Sequence, residues 1–151
     1  MIKSLILFIE RFVSIPDLGL RLWVAWVFFK SGLTKVTGFP PEITSTTKLL
    51  FEHEYKVPLL PPEVAAYLGS YAELAFPVFL ALGLGGRWAA GALFVFNAVA
   101  VISYPTLNAA GIAQHQLWGL ILLYLFFRGP GKLSFDHFIR WRFMPDNIPN
   151  P

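Results

Sequence analysis

One carboxylate lies in the middle of a long uncharged stretch of the sequence. Glu73 is the single charged residue between positions 64 and 86. A helix rises about 1.5 Å per residue, so a crossing that begins near position 64 carries Glu73 roughly 14 Å into a hydrocarbon core about 30 Å thick. An ionisable group at that depth is costly unless it is paired or faces a cavity. Glu73 is therefore the first candidate for proton-transfer chemistry.

Two other polar residues can reach the same level. Asn97 lies about nine residues into the next apolar segment from the opposite side, which places it at nearly the depth of Glu73. A protonated Glu73 hydrogen-bonded to Asn97 would be ordinary helix–helix adhesion, and this alternative to a functional role stays open. Arg21 is either a partner that keeps Glu73 ionised or a side chain that extends to the cytoplasmic headgroups.

The residues expected to surround Glu73 come from the first and last apolar segments. Arg21, Gly32 and Lys35 share one helical face, which we expect to point inward. His115 and Trp118 share a face of the last segment, where the imidazole is either a proton partner or a histidine bonded to a loop carbonyl or water. The predicted catalytic residues are Glu73, Arg21 and His115, and the predicted substrate-binding residues are Lys35, Asn97, Trp118 and Gly32.

The composition excludes several classes of protein. Hydrophobic residues make up 56% of the 151 residues and charged residues 14%, which are too few to coat a soluble monomer. The absence of cysteine excludes disulfides, thiolate metal sites and cysteine-ligated clusters. The net charge of +3 is dispersed, so no nucleic-acid groove is expected. Glu52, His53 and Glu54 resemble a metal site only loosely, and we predict no metal.

The elements that position these residues are helices, and we predict an all-α integral membrane four-helix bundle in a single domain, 1–151. Residues 88–127 contain no Asp, Glu, Lys or Arg, which is twice the length of one crossing, and the turn-like cluster at 104–108 divides them. A polar loop joins the first two spans, with a short surface helix near 43–55. The predicted spans are 18–34, 64–86, 88–104 and 110–127.

Amphipathic segments flank the spans, and loop charges set the orientation. Residues 2–13 have the pattern of a helix lying in the headgroup plane, and Ser134 can cap a short interfacial helix that ends at Phe143. Most Lys and Arg residues outside the spans fall on the side of the termini. The positive-inside rule therefore predicts a multi-pass protein of a bacterial inner membrane with both termini cytoplasmic.

Several motifs together resemble the DoxX family of small bacterial membrane proteins. They are Arg21, the segment 29–35 (FKSGLTK), Glu73-Leu74, the turn 83–87 (GLGGR) and the segment 129–136 (GPGKLSFD), which together span most of the chain. The resemblance implies a four-helix inner-membrane protein. It carries over only Arg21, Gly32, Lys35 and Glu73 as family-pattern positions, and Lys30 departs from the neutral or histidine-like residue expected at its position.

The resemblance and the polar residues support three hypotheses of function. The family is named for a subunit of a thiosulfate:quinone oxidoreductase, which implies a quinone-linked oxidoreductase subunit in which Glu73, with Arg21 or His115, manages the protons of a quinone. A mycobacterial relative that scaffolds an oxidoreductase complex implies instead a non-enzymatic subunit that recruits partners or self-associates. A small-solute carrier is the third hypothesis, although the two halves show no inverted repeat.

Overall fold

The computed structural model describes residues 14–143, and within that range the chain is mostly helical. The predicted N-terminal interfacial helix, residues 2–13, lies outside the described residues. The elements are α1 (Ser14–Lys35), β1 (Val36–Thr37), β2 (Glu42–Ile43), α2 (Ser45–His53), α3 (Pro62–Leu82), α4 (Gly86–Ser103), α5 (Ala109–Arg128) and α6 (Phe135–Phe143).

Three of these helices, α3, α4 and α5, are long and apolar enough to cross a membrane. They contain most of the second, third and fourth predicted spans, so the expectation of a multi-pass membrane protein is confirmed. Their lipid-facing character is visible in single side chains, since Leu120 is 66% exposed and Val95 61% exposed. α1 is not among the three. It carries Asp17, Arg21, Lys30 and Lys35 within its 22 residues.

The four long helices pack in two close pairs. α1 lies along α3, and α4 lies along α5, while α3 also contacts α4. Alanine and glycine at the contacts allow backbones to approach closely, which is how helices associate in lipid. The buried core between the helices consists of Val24, Ala25, Phe28, Leu80, Ala89, Ala90, Leu93, Leu122 and Leu125.

The segment between α1 and α3 is more ordered than a polar loop. β1 and β2 form a short antiparallel hairpin that the sequence did not predict, and the predicted surface helix is present as α2. Thr44 caps α2 by accepting a hydrogen bond from the Thr47 amide at 3.2 Å. Phe51 of α2 is buried with Ala65 and Ala66 of α3. This packing holds the segment 36–61 against one end of the long helices.

Arg21, which the sequence offers as a partner for Glu73, lies at the opposite end of the long helices and closes it. Its guanidinium instead donates to the backbone carbonyl of Pro130 and, at 2.6 Å, to that of Leu133. Arg21 is 3% exposed and no acidic side chain contacts it among the described residues. Neither alternative for Arg21 holds. It does not pair with Glu73, and being buried it does not extend to the headgroups, because its side chain bonds the segment that follows α5.

Asp136 completes this closure, which we call the end clamp and define as Arg21, Asp136 and the backbone of 83–86 and 130–133. The two carboxylate oxygens of Asp136 accept the amide hydrogens of Gly85 and Gly86 at 2.8 and 3.0 Å. Those amides begin α4, where a carboxylate also complements the helix dipole.

A second contact beside the end clamp ties α1 to α5. The Asp17 carboxylate accepts a hydrogen bond from the Tyr124 hydroxyl at 2.6 Å and lies 3.4 Å from Nε of Arg128. Asp17 is thus bonded to the end of α5, and both terminal nitrogens of the Arg21 guanidinium are bonded to the segment after it, whereas the buried Nε of Arg21 has no partner among the described residues.

Gly83 is the position in the end clamp that tolerates a side chain least. Its φ is +67°, and a Cβ there would lie 2.5 Å from Cβ of Ser134 and 2.9 Å from Nη1 of Arg21. We predict that Gly83→Ala lowers the free energy of unfolding by at least about 1–3 kcal/mol, because backbone strain adds to the steric conflict. Thermal unfolding in detergent, followed by circular dichroism, measures the effect.

Two glycines provide matched controls for that prediction. Gly85 also has a positive φ of +57° but nothing within 4 Å of its Cβ position, and Gly19 in α1 is likewise open. Gly85→Ala should show the strain alone, and Gly19→Ala should unfold at the wild-type temperature or above. Equal stability of the Gly83 and Gly19 variants would show that the end clamp does not constrain this turn.

Candidate functional site

Glu73 faces the interior of the protein and pairs with the ammonium of Lys35. It is 5% exposed in the middle of α3, and its carboxylate forms an ion pair and hydrogen bond with Nζ of Lys35 at the end of α1. Ser31 joins the pair: its hydroxyl donates to Oε1 of Glu73 at 3.4 Å and accepts from Lys35 at 3.2 Å. A buried carboxylate thus has both a charged and a neutral partner.

Gly32 explains why α1 comes close enough for this pairing. A Cβ on Gly32 would lie 3.0 Å from the backbone carbonyl carbon of Glu73 and 3.1 Å from its Cβ. A larger residue would push α1 away from α3. Because Gly32 is three residues before the end of α1, Glu73 lies only about 5 Å below that end, under the segment 36–61.

Asn97 pairs with His115, not with Glu73. The amide nitrogen of Asn97 donates to the backbone carbonyl of His115 at 2.9 Å, and Oδ1 of Asn97 lies 2.7 Å from Nδ1 of the imidazole. Since the first bond fixes the amide orientation, Nδ1 carries the hydrogen and Nε2 is left for another partner. The Glu73–Asn97 hydrogen bond, the alternative to a functional role for Glu73, is therefore not formed.

His115 and Trp118 lie together, as their shared helical face predicts. Their ring centroids are 4.8 Å apart and the planes meet at 66°. Gly119 provides room for Asn97, because a Cβ there would lie 3.2 Å from the Asn97 amide nitrogen. One turn of α5 therefore supplies the imidazole, an aromatic wall and the space for the amide that orients the imidazole.

Two adjoining cavities meet at the ion pair. The more polar one, about 220 Å³, is bordered by Lys35, Glu73 and Ser31 on one side and by His115 and Trp118 on the other. The structure thus brings together six of the seven predicted site residues. Lys35, Glu73, His115 and Trp118 border this cavity, Gly32 packs against Glu73, and Asn97 bonds His115. Arg21 lies at the other end of α1, in the end clamp.

The second cavity is larger, about 320 Å³, and almost wholly apolar. Aliphatic and aromatic side chains of α3, α4 and the segment before α3 form its walls. Polar side-chain groups in its lining belong to Lys35, Glu73, Tyr55 and Ser103. Its shape and lining suit an amphipathic ligand with one polar end at the ion pair.

Tyr55 borders both cavities, and no pattern in the sequence selects it. The residue follows α2, and its ring stacks on Phe51 at 4.9 Å and on Tyr104 at 5.1 Å. Burial raises the pKa of its phenol, and the carboxylate of Glu73 acts in the same direction. Tyr55 therefore remains a neutral hydrogen-bond donor at physiological pH.

The outer cluster of Glu52, His53 and Glu54 has no such organisation. All three side chains are exposed. In the part of the chain that the structure describes, no three His, Asp or Glu side chains come together in a way that could hold a metal ion.

Helices that can span a membrane and a largely buried ion pair define a multi-pass membrane protein with a polar site in its interior. The family model for DoxX matches residues 17–106, and the chain belongs to the DoxX family. The match includes Gly32, Lys35, Glu73 and Asn97 and ends before His115. The resemblance seen in the sequence is thereby confirmed.

The chain is also similar to an uncharacterized protein of Haemophilus influenzae. The two are 30% identical over 128 residues, which cover 80% of this chain and 81% of the relative. No solved structure matches the chain.

The stability of the ion pair can be tested by a double-mutant cycle with Lys35→Met and Glu73→Gln. The two side chains are only 15% and 7% exposed, so removing one partner leaves a buried charge. Each single variant should lose about 3–5 kcal/mol, and the double variant should lose clearly less than their sum. Unfolding in mixed micelles with increasing denaturing detergent gives these values.

The control for the cycle is Glu63→Gln, an exposed carboxylate at the start of α3. It should leave stability within about 0.5 kcal/mol of wild type. Strict additivity of the Lys35 and Glu73 variants would contradict a coupled pair.

Proposed function

We propose that this DoxX-family protein is the quinone-binding membrane subunit of an oxidoreductase system in a bacterial inner membrane. The observation that carries the proposal is the apolar cavity with the Lys35–Glu73 pair at its inner end and a polar cavity on the far side of that pair. Pockets for small ligands are mostly apolar with a few placed polar groups, and occupy about 300–1,000 Å³. The adjoining volumes of about 220 and 320 Å³ suit a ring headgroup at the ion pair, beside Trp118 and His115, and an apolar tail in the apolar cavity.

The proposal places α1 in the membrane with α3, α4 and α5, as a single four-helix domain. Each charged side chain of α1 has a partner or reaches the headgroups. Arg21 and Asp17 are bonded within the protein, and Lys35 is paired with Glu73. The exposed Lys30 extends to the headgroups. Basic residues after α5 lie at the end that carries the end clamp, which favours a cytoplasmic position for that end. We assign Gly32 to the close approach of α1 to α3, in place of its predicted role in substrate binding.

The residues present fit a quinone headgroup, which would supply two-electron, two-proton chemistry when bound. The ammonium of Lys35 can donate a hydrogen bond to a ring carbonyl oxygen, and charged donors make the stronger hydrogen bonds. Glu73, hydrogen-bonded to both Lys35 and Ser31, can take up or release a proton at the same oxygen. Trp118 forms an aromatic wall, and the apolar surroundings exclude water.

His115 supplies the second proton position. Its Nδ1 is held by Asn97, so a proton is exchanged at Nε2 on the side of the polar cavity. Two proton-carrying groups, Glu73 and His115, therefore border one cavity from different helices. The electrons would come from a partner subunit with a flavin or metal centre. This chain has no cysteine to hold an iron–sulfur cluster of its own.

A non-enzymatic scaffold is the second candidate function, and the surface of α6 favours it. None of the residues of α6 is buried, and Phe138 and Trp141 are 55% and 61% exposed beside Arg140 and Arg142. We place α6 at the cytoplasmic interface, where its aromatic side chains contact lipid and its arginines remain available to an acidic partner.

Binding of a quinone can be measured directly on the purified protein. We expect menadione to quench tryptophan fluorescence saturably, since Trp118 borders the site. Lys35→Met should weaken binding at least about tenfold, because a charged hydrogen-bond donor is lost. The exposed Lys48→Met variant is the control and should bind as wild type does. Failure of the wild-type protein to bind menadione would contradict the proposal.

Turnover tests the role of Glu73 in proton transfer. In membranes that contain the complete complex, Glu73→Gln should lower the rate of quinone reduction by about 10²–10⁴-fold while the complex still assembles. Glu63→Gln, which changes an exposed carboxylate, should leave the rate unchanged. Wild-type turnover in the Glu73 variant would remove Glu73 from the mechanism.

If the protein is a scaffold, partner recruitment and quinone binding should depend on different residues. Changing Arg140 and Arg142 together to alanine should remove partner proteins that copurify with the wild type, without altering menadione binding. Copurification that depends on Glu73 instead of these arginines would argue against α6 as the partner surface.

A further inference from the structure

Tyr55 has the position of a residue that contacts a ligand held by the ion pair. It is the aromatic residue outside the long helices that, with Lys35 and Glu73, borders both cavities. Its hydroxyl forms no hydrogen bond to any other group within residues 14–143, whereas the hydroxyl of Tyr104, its stacking partner, donates to Glu54 at 3.3 Å. A phenol at the junction of two cavities is thus left with its donor available.

The surrounding structure holds the Tyr55 ring in place. Phe51 stacks on it and is itself buried against α3, and Tyr104 stacks on it as well. The next residue, Lys56, donates its amide hydrogen to the carbonyl of Ser103 at 2.8 Å, which fixes the backbone to the end of α4. A ring restrained by two stacked neighbours and a backbone bond loses little entropy when its hydroxyl binds a ligand.

We propose that Tyr55 is a third ligand-binding residue, whose hydroxyl donates to the second ring oxygen of a headgroup that Lys35 and Glu73 hold by the first. The inference rests on the proposed function. A para-quinone has its two carbonyl oxygens on opposite sides of the ring, so it requires donors from two directions. Lys35 approaches from α1, and Tyr55 approaches from the segment between α2 and α3.

This arrangement makes Tyr55 a specificity-determining residue. A site that donates to both carbonyls disfavours a ring with one carbonyl, because a donor that the bound ring shields from water is then left without a partner. The neutral phenol also avoids placing a third charge beside the ion pair.

A ligand cycle tests the proposal with menadione and 2-methyl-1-tetralone, which lacks the second ring carbonyl. In the wild-type protein, menadione should bind about tenfold more tightly than the tetralone. In Tyr55→Phe, which keeps the stacked ring, menadione binding should weaken about tenfold and the preference over the tetralone should disappear. Tyr104→Phe, which removes a hydroxyl from the same stack, should retain the preference.

The outcomes separate this inference from the proposed function. If wild type binds neither ring, the proposed function fails. If menadione binds and Lys35→Met weakens it, but Tyr55→Phe keeps the tenfold preference, the role of Tyr55 alone is overturned. An equal loss for both ligands in Tyr55→Phe would show a structural role and also overturn the inference. Should Tyr55→Phe fold poorly, the absence of a preference in the wild type is by itself a contradicting result.

Discussion

The ion pair between Lys35 and Glu73 is the interaction around which the interior is arranged. A carboxylate in an apolar setting requires a partner, and the partner here must come from a different helix. That requirement explains the absence of a side chain at Gly32, the presence of the Ser31 hydroxyl and the close alignment of α1 with α3. Both cavities are lined by Lys35 and Glu73, so they adjoin at the pair.

The two ends of α1 therefore have separate tasks. Its first turns carry Asp17 and Arg21, which bind α5 and the segment after it. Its last turn carries Ser31 and Lys35, which hold Glu73. α1 carries more charge than the three apolar helices, and each of its inward-facing charges has a specific partner in the folded protein.

The sequence predicted those parts of the site that follow from the helical repeat and from the depth of a residue along a membrane-spanning segment. The length of the uncharged segments located the apolar helices. The helical face of α1 grouped Gly32 with Lys35, and the helical face of α5 grouped His115 with Trp118. These are properties of one segment at a time, and a single sequence reports them well.

Partners between segments were harder to predict, for reasons of geometry. Depth placed Asn97 level with Glu73, but depth does not give the rotation of a helix about its axis, and Asn97 is turned toward His115. Arg21 was assigned to the site because its helical face points inward, but a face does not show which level of a neighbouring helix a residue meets. Its acceptors are backbone carbonyls of an irregular segment, which no side-chain pattern reveals. Tyr55 was missed because the fold of the segment 36–61 depends on packing against α3, which the loop's composition does not encode.

The bonds of Arg21 also set an order for biosynthesis. Its acceptor at Leu133 lies 112 residues further along the chain, so the ribosome must pass α3, α4 and α5 before that guanidinium can reach its partner. Until then the arginine lacks these acceptors, and an unmatched arginine is costly inside a hydrocarbon core. α1 can consequently make its contacts with the segment 130–133 only after the three apolar helices have been synthesised.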